Sequence, residues 1–507
     1  MKIRTALLLS CLTGFVSISM EIIWFSVVGF LFKGHAGVFG MVLSLILLGI
    51  AIGAKYVYKR IKNYDKEQTI KLISNALLLC GIINFTGLPF TAFLMTFHIA
   101  FATLIFINII AVSAMLGCIF PLLCHITVSS SETKVGRQTS WIYAANIIGA
   151  TSGPLLTGYV LIDLFPIQVI ITIFCVIPVL AALFLNLPHI NKAINRKYVV
   201  SSFFLVVIVL TACQFFYSSF FEKIHFNEAF IKNKKFKYLV ENRNGIIAVD
   251  QTSEGDVFYS GGTYDGAVNT DLLNPVNKIS RAYMIAAMHP APKRVLMIGL
   301  STGSWAKVLA DFSRIEELVI AEINPGYLQL VKKYPEVADI LQNKKVKIII
   351  DDGRRWLKLN ANEKFDFIVM NTSFHWREHI TNLLSKEFLQ LCKTHLNEGG
   401  VMYWNTTHSP VVVNTACHVF NNVATYLSFV AASDSPFIMT AEERKNAFLS
   451  FIRNGKPVFQ QNDSTLALLD KYCQTSLANV KDSFLKKKLL IITDDNMATE
   501  YKARVYR

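Results

Sequence analysis

Apolar positions along this chain fall into two regimes. Up to about residue 221 they run in long blocks: Thr5–Phe32, Val38–Tyr58, Ile70–Gly87, Phe90–Ile126, Trp141–Ile162, Ile167–Leu187 and Val199–Phe221. A helix of about 20 apolar residues crosses a ~30 Å hydrocarbon layer. Phe90–Ile126 is long enough for one very long crossing or two short ones, so the pattern predicts seven or eight membrane helices. Further on, the apolar runs shrink to strand length: Val295–Ile298, Leu318–Ala321, Val346–Ile350, Phe365–Met370 and Val401–Trp404, with helical segments between them. That alternation predicts an α/β sheet of parallel strands. Ahead of it, Tyr238–Glu241 and Ile246–Val249 flank Asn242-Arg243-Asn244-Gly245, a hairpin signal, and Val257–Ser260 adds a third strand. The expected fold is an α-helical transmembrane bundle (1–221), a linker with a small antiparallel β unit (222–275), and a doubly wound α/β domain (276–507).

The ends of the short runs carry the chemistry. Val295–Ile298 stops at Gly299, followed by Ser301, Thr302 and Gly303 and then a helical pattern. Glycine permits a sharp turn and a close approach by a ligand. Leu318–Ala321 stops at Glu322, and an acid at the end of the second strand, about 20 residues after the glycine turn, can accept hydrogen bonds from ribose hydroxyls. Val346–Ile350 stops at Asp351, Asp352 and Gly353, and Phe365–Met370 stops at Asn371. Together these predict a nucleoside site at the carboxyl ends of parallel strands. A loop at Gly261-Gly262-Thr263-Tyr264-Asp265-Gly266 reads either as one built to approach a ligand or as an ordinary turn.

Composition sharpens this picture in a few places. The formal charge is +15. Much of it sits in the short connections, at Lys55, Lys59, Arg60, Lys62, Lys66 and Lys71, which is a positive-inside signal. No stacking aromatics accompany a basic face, so nucleic acid is excluded as a partner. Lys232, Lys234, Lys235 and Lys237 suit anionic headgroups or a solvated linker equally. The nine cysteines are scattered, with no close pair, which argues against a disulfide framework and a structural zinc site. The start imitates a signal peptide, but its apolar run continues to Phe32, so it reads as the first membrane helix. Gly49 with Gly53, and Gly149 with Gly153, are spaced for close helix packing. Glu21, within the first run, is either functional or a packing group.

A membrane-helix bundle, a small β unit and a sheet with these turns resemble the membrane-bound members of the spermidine synthase-like proteins. In the first half the resemblance rests on Glu21–Trp24, on Phe120-Pro121-Leu122-Leu123 and on Tyr143-Ala144-Ala145-Asn146 running into Gly149. In the second it rests on Gly299–Gly303, Glu322, Asp352-Gly353 and the strand ending at Asn371. The second set is shared with S-adenosylmethionine methyltransferases generally, which implies a methyltransferase-like Rossmann domain. The resemblance implies S-adenosylmethionine or decarboxylated S-adenosylmethionine as donor. The turn of Gly299, Ser301 and Gly303 would face the donor's amino-acid end, Glu322 would hold the ribose, and Asp352, followed by Gly353, would accept from the adenine amino group.

In the aminopropyltransferases, the strand ending here at Asn371 ends in an aspartate that helps take the proton from the attacking amine, and a second acid follows three residues later. This chain has Asn371 and Phe374 there. An amide neither attracts an ammonium as a carboxylate does nor accepts its proton. The loop Ser373-Phe374-His375-Trp376-Arg377-Glu378-His379 offers replacements. His375 suits a base near neutrality, Arg377 can hold a carboxylate or phosphate on the acceptor, and Trp376 can wall the pocket, as can Tyr264. Asp265 is a second candidate base. His375 and His379 lack a third ligand, so no metal is expected.

The expected protein is a membrane-embedded transferase acting on a small-molecule or lipid-borne acceptor, in contact with membrane lipids, with a homodimer left open. The competing readings are a transporter or sensor regulated by a nucleoside, and a binding protein without turnover. Seven helices would put the basic clusters on one side and the α/β domain on the other, away from a cytoplasmic donor. Eight helices, with three crossings in Ile70–Val128, restore a cytoplasmic domain in a bacterial inner membrane or its equivalent. Eight is therefore the expectation. From Ala441 onward the residues carry no readable chemistry.

Overall fold

The computed structural model of the chain describes residues 2–128, 132–187, 193–253, 255–371 and 374–501. They divide into two compact units. One comprises Met1–Phe32, Val38–Phe236 and Glu241–Ile246, and the other comprises Lys33–Gly37, Lys237–Val240 and Ile247–Arg507. Residues 222–275 are thus shared between the two.

The first unit is helical: α1 (Ile3–Leu31), α2 (Gly37–Arg60), α3 (Lys66–Met95), α4 (Leu104–Thr127), α5 (Glu132–Leu156), α6 (Ile167–Asn186) and α7 (Ala193–Phe216). Among the described residues, seven helices are long and apolar enough to cross a membrane. Large apolar side chains also cover their outward faces, among them Phe39, Leu47, Leu48, Phe184, Phe203 and Phe215. A water-facing helix would carry charge there.

The stretch Ile70–Val128 forms two long helices, correcting the expectation of three crossings. The break falls at Thr96–His98, after α3, and not near Pro89. Pro89 lies inside α3, where it cannot donate to the carbonyl four residues back. That carbonyl, of Phe85, instead accepts from Tyr217 Oη at 3.0 Å. The helix continues because a distant phenol satisfies the freed acceptor. The glycine pairs are placed as their spacing predicts. A Cβ at Gly49 or Gly53 would collide with α4 backbone at Ile110 and Ala114, and one at Gly149 or Gly153 with α1 backbone at Cys11 and Phe15. Asn146 Nδ2 donates to the Ser10 carbonyl at 3.0 Å across the α1–α5 contact. Glu21 is half-buried in α1.

The second unit has two larger sheets and a small two-stranded one, Ile452–Arg453 with Lys456–Pro457. Strands β1 (Tyr238–Asn242), β2 (Gly245–Thr252), β3 (Gly255–Ser260) and β4 (Thr263–Ala267) form a four-stranded sheet in chain order. The sequence pattern had three strands and a glycine loop, but most of that loop is β4. Gly261 (φ +52°) and Gly262 (φ +75°) are the two central residues of a tight hairpin turn, and positive φ at both favours glycine. Pairing along β3–β4 runs Ser260 to Thr263 and Tyr259 to Tyr264, then Phe258 to Gly266, so Asp265 is the extra residue of a β-bulge.

The larger sheet comprises β5 (Arg294–Ile298), β6 (Glu317–Glu322), β7 (Val346–Ile350), β8 (Phe365–Met370), β9 (Leu396–Asn405), β10 (Asn422–Tyr426) and β11 (Phe429–Ser433), in the order β10-β11-β9-β8-β5-β6-β7. Counted from β5, that is 3-2-1-4-5-7-6, a doubly wound core with a hairpin added at one edge. Strands β5 to β9 are parallel, while β11 runs antiparallel to β9 and β10 to β11. This hairpin departs from the all-parallel expectation. Alternate residues feed two cores: Val295, Met297, Leu318 and Ile320 pack with Trp305, Val308 and Leu309, while Leu296, Ile298, Val319 and Ile368 pack with Leu357, Phe388 and Leu389.

Candidate functional site

Strand order reverses beside β5, because β6 and β7 lie on one side and β8 and β9 on the other. In open α/β sheets ligands bind outside the carboxyl ends of the strands at such a switch point. Register fixes what stands there. Ile298 pairs with Ala321 and Met370, Glu322 with Ile350, and Met370 with Trp404. One residue beyond these levels lie Gly299, Asp351, Asn371 and Asn405, with Glu322 between. Neighbouring strands are about 4.8 Å apart, so the row is continuous.

The β5 turn is tied down by Glu322. Its two carboxylate oxygens accept from the backbone N–H of Leu300 at 2.6 Å and of Asn324 at 2.7 Å. Gly299 has φ +89° and Gly303, capping the following helix, φ +79°. Glu322 is 3% exposed. Burial pushes its carboxyl up to about 7 even though these backbone donors, and that of Ser301, pull it down; the nearby Asp265 adds to the rise. An ionised carboxylate has about four acceptor sites, so with these three donors in place one remains for a hydroxyl. Asp352 caps the helix Gly353–Leu359, its Oδ1 accepting from Arg355 N at 2.7 Å. A Cβ at Gly353 would stand 2.8 Å from Ile298 Cγ2, so a larger residue there would force the helix or Ile298 to shift.

Beyond the row lies a cavity of about 340 Å³, lined among the described residues by Tyr264, Asp265, Asn277, Lys278, Arg281, Asn371, Phe374 and Asn405, with Pro275, Thr407, His408 and Ser428. Asp265 Oδ2 accepts from Ser301 Oγ at 2.8 Å and Tyr327 Oη at 2.7 Å. Burial, with Asp265 next in effect, pushes the Tyr327 phenol well above its usual value and keeps it a donor. Tyr264 Oη reaches Asn277 Oδ1 at 3.4 Å, and burial pushes this phenol up too. Adjacent strand residues normally face opposite ways; the bulge at Asp265 brings Tyr264 and Asp265 to one cavity. Asn371 lies at the end of β8, 3.5 Å from Asn405 Nδ2.

The cavity lining does not include His375, Trp376 or Arg377. His375 is 5% exposed, its backbone N–H donating to Thr407 Oγ1 at 3.1 Å and its carbonyl accepting from Thr499 Oγ1 at 2.9 Å. Burial pushes its imidazole below the usual value. Trp376 stacks on Phe374 with ring centroids 5.5 Å apart. Arg377 donates to the Ser260 carbonyl at 3.2 Å and lies against Gly34 and Gly261. Ser373 lies outside the described residues. Sequence reading missed Tyr327, Asn405, Lys278 and Arg281. Asn405 stands at a strand end, by the same rule that singled out Asn371. Arg281 is a lone charge in the apolar stretch Ile279–Met288.

Residues 280–463 match the family described as "Spermine/spermidine synthase domain". The polyamine aminopropyltransferase of Agathobacter rectalis is 31% identical over 119 residues, which is 23% of this chain and 41% of that protein. That of Streptococcus pneumoniae is 32% identical over 119 residues, again 23% of this chain and 41% of that protein. The chain thus spans about two fifths of the length of these curated relatives. A crystal structure of the spermidine synthase from Thermotoga maritima is similar at 19% identity and a TM-score of 0.38, covering 50% of this chain and 87% of that one. With the fold described above, the match identifies residues 280–463 as a spermine/spermidine synthase domain.

Proposed function

We propose that the chain is a membrane-embedded transferase that binds S-adenosylmethionine or its decarboxylated form and passes an alkyl group, aminopropyl or methyl, to an acceptor held in the cavity. The observation that carries this reading is the row of Gly299, Glu322 and Asp351 at the switch point, with Asp352 next along the chain as a helix N-cap. Glu322 accepts from the ribose, Asp352 from the adenine amino group, and the turn of Gly299, Ser301 and Gly303 receives the donor's tail. When bound, the sulfonium supplies an electrophilic carbon and a neutral thioether leaving group. The chain's own task is then to orient the acceptor and take its proton. Asp265 is the lining carboxylate among the described residues, so we assign the proton to its free oxygen in place of His375. Ser301 and Tyr327 hold the carboxylate in position, and Tyr264 walls the site. Asn371 contributes a neutral hydrogen bond where the aminopropyltransferases carry an acid.

The acceptor is a small molecule or a lipid-borne group. The apolar outward faces of α1–α7 support embedding in a bacterial inner membrane or its equivalent. Donor supply requires the α/β domain on the cytoplasmic side. With seven spans this leaves the basic connections, including Lys55–Lys71, on the far side, against the usual bias. A fluorescent protein fused after α7 is expected to be bright. Alkaline phosphatase activity from the matching fusion would overturn the assignment. A second reading, a transporter or sensor regulated by the nucleoside, is favoured by seven long helices where one would anchor a domain.

The test is incubation of the full chain in detergent with each donor and candidate amines, with the nucleoside product read by mass spectrometry. Thioether nucleoside above the Asp265→Asn background supports the transferase. Donor binding without turnover supports the sensor reading. The absence of donor binding overturns both.

A further inference from the structure

The cavity is charged in an unexpected sense. Polyamine acceptors are cations, yet among the described lining residues Asp265 is the one carboxylate, and it already accepts from Ser301 and Tyr327. Arg281 and Lys278 line the same space. Arg281 is 9% exposed. Its guanidinium donates to the carbonyls of Asn277 at 2.8 Å and Lys278 at 3.1 Å and to Ser428 Oγ at 3.3 Å, and it lies over the Phe429 ring. All four partners are neutral, and no ion pair joins Arg281 to a carboxylate among the described residues. A guanidinium has five N–H donors, so further donors remain on its cavity side. The segment presenting it is held in an unusual backbone: Asn277 and Lys278 have φ of +60° and +47° in succession. Non-glycine residues persist there only when the surroundings impose it. A buried guanidinium that faces a cavity with no carboxylate paired to it suits an anion, which it binds in a planar, two-pronged manner.

We propose that Arg281, supported by Lys278, forms an anion subsite in this cavity that takes a carboxylate or phosphate carried by a substrate. The inference rests on the nucleoside-transferase reading and narrows its substrates. Two sources share this chemistry. S-adenosylmethionine carries a carboxylate that its decarboxylated form lacks, and an acceptor can carry a carboxylate or phosphate of its own. Arg377, turned instead to Ser260, does not line the cavity.

The experiment uses the full chain in detergent and calorimetry with four probes. These are 5′-methylthioadenosine, which fills the nucleoside site without charge, S-adenosylmethionine, decarboxylated S-adenosylmethionine, and inorganic phosphate added over saturating methylthioadenosine. Two results support the subsite. If it holds the donor's carboxylate, the wild type prefers S-adenosylmethionine over the decarboxylated form by tenfold or more, and Arg281→Gln removes the preference. If it holds the acceptor's anion, phosphate binds the methylthioadenosine complex, and Arg281→Gln weakens it by tenfold or more. In both cases Arg281→Lys restores part of the effect, and Lys278→Gln, at an exposed position, gives a smaller loss. A wild type that shows neither preference nor phosphate binding overturns the proposal, as does Arg281→Gln leaving both unchanged. Failure of methylthioadenosine to bind the wild type sinks the nucleoside reading, and phosphate titration of the free chain then judges the subsite. If Arg281→Gln loses methylthioadenosine binding, it has lost its fold, and Lys278→Gln decides.

Discussion

The carboxyl ends of β5, β6 and β7 and those of β8 and β9 belong to one sheet, yet they are built differently. On the first side, each group follows directly from a strand end and a short turn. Glu322 ties the β5 turn through two backbone hydrogen bonds, and Asp352 caps the next helix. The groups proposed to meet the donor also hold the local fold together. On the second side the strands contribute only the neutral Asn371 and Asn405, and the charged groups arrive from elsewhere: Asp265 from a bulge in β4, and Lys278 and Arg281 from a segment with left-handed backbone. A site made by strand register is hard to change without unfolding it. One made by imported side chains can exchange its substrate while the sheet stays intact.

The largest expected effect separates the two sides cleanly. Asp265→Asn should lower turnover by about 10²–10⁴-fold, the usual worth of a general base, while leaving nucleoside affinity nearly unchanged. His375→Gln should leave the pH profile of turnover in place, and a shifted profile would return His375 to the chemistry. With decarboxylated donor and putrescine, spermidine formation should be slow or absent, because Asn371 and Phe374 stand where two acids are expected. Robust formation would show that the neutral strand ends do not exclude a diamine.

On the other side, Glu322→Ala should weaken 5′-methylthioadenosine by about 1–3 kcal/mol, the cost of leaving buried polar partners unsatisfied. Unchanged affinity would remove the ribose assignment. Gly353→Ala should cost about 1–3 kcal/mol of stability through overpacking against Ile298, read by thermal unfolding. The smallest effect is in pH. The Glu322 carboxyl is raised in the folded chain from 4.5 to about 7. Its contribution to stability is therefore full below about pH 4.5 and is lost as pH rises through 7. Ribose binding runs the opposite way, since the ionised group is the stronger hydrogen-bond acceptor. Affinity should rise by at most about tenfold per pH unit up to 7 and level off above, and Glu322→Gln should flatten the profile.

What could be read from the sequence follows the same division. Strand ends, glycine turns and the acid after the second strand are local signals, and Gly299, Glu322 and Asn371 stand in one row at neighbouring strands, with Asp352 just beyond it. The acceptor side depends on tertiary placement. His375 has the right chemistry at the right distance along the chain, but it is buried against Thr407 and Thr499 and is not among the residues lining the cavity, although its neighbour Phe374 is. Arg281 was visible only as a charge out of place in an apolar stretch. In the helical unit, the apolar pattern stops at Gly87 and resumes at Phe90, yet the helix runs through, and Tyr217, far along the chain, bonds the Phe85 carbonyl that Pro89 leaves free. Local propensity contains no trace of that phenol.

The bulge in β4 makes the position of the cavity carboxylate a matter of counting. Between the pair Ser260–Thr263 and the pair Phe258–Gly266, β4 carries one residue more than β3. Removing a single residue between Thr263 and Gly266 would restore regular alternation, and whichever of the two side chains survived, Tyr264 and Asp265 could no longer share the cavity. Insertions and deletions are usually tolerated at hairpin tips, and Gly261-Gly262 is such a tip. A few residues further on, the frame itself is the functional element. Variants of this protein should therefore accept changes of residue type at Tyr264 more readily than any change in length of the Thr263–Gly266 segment.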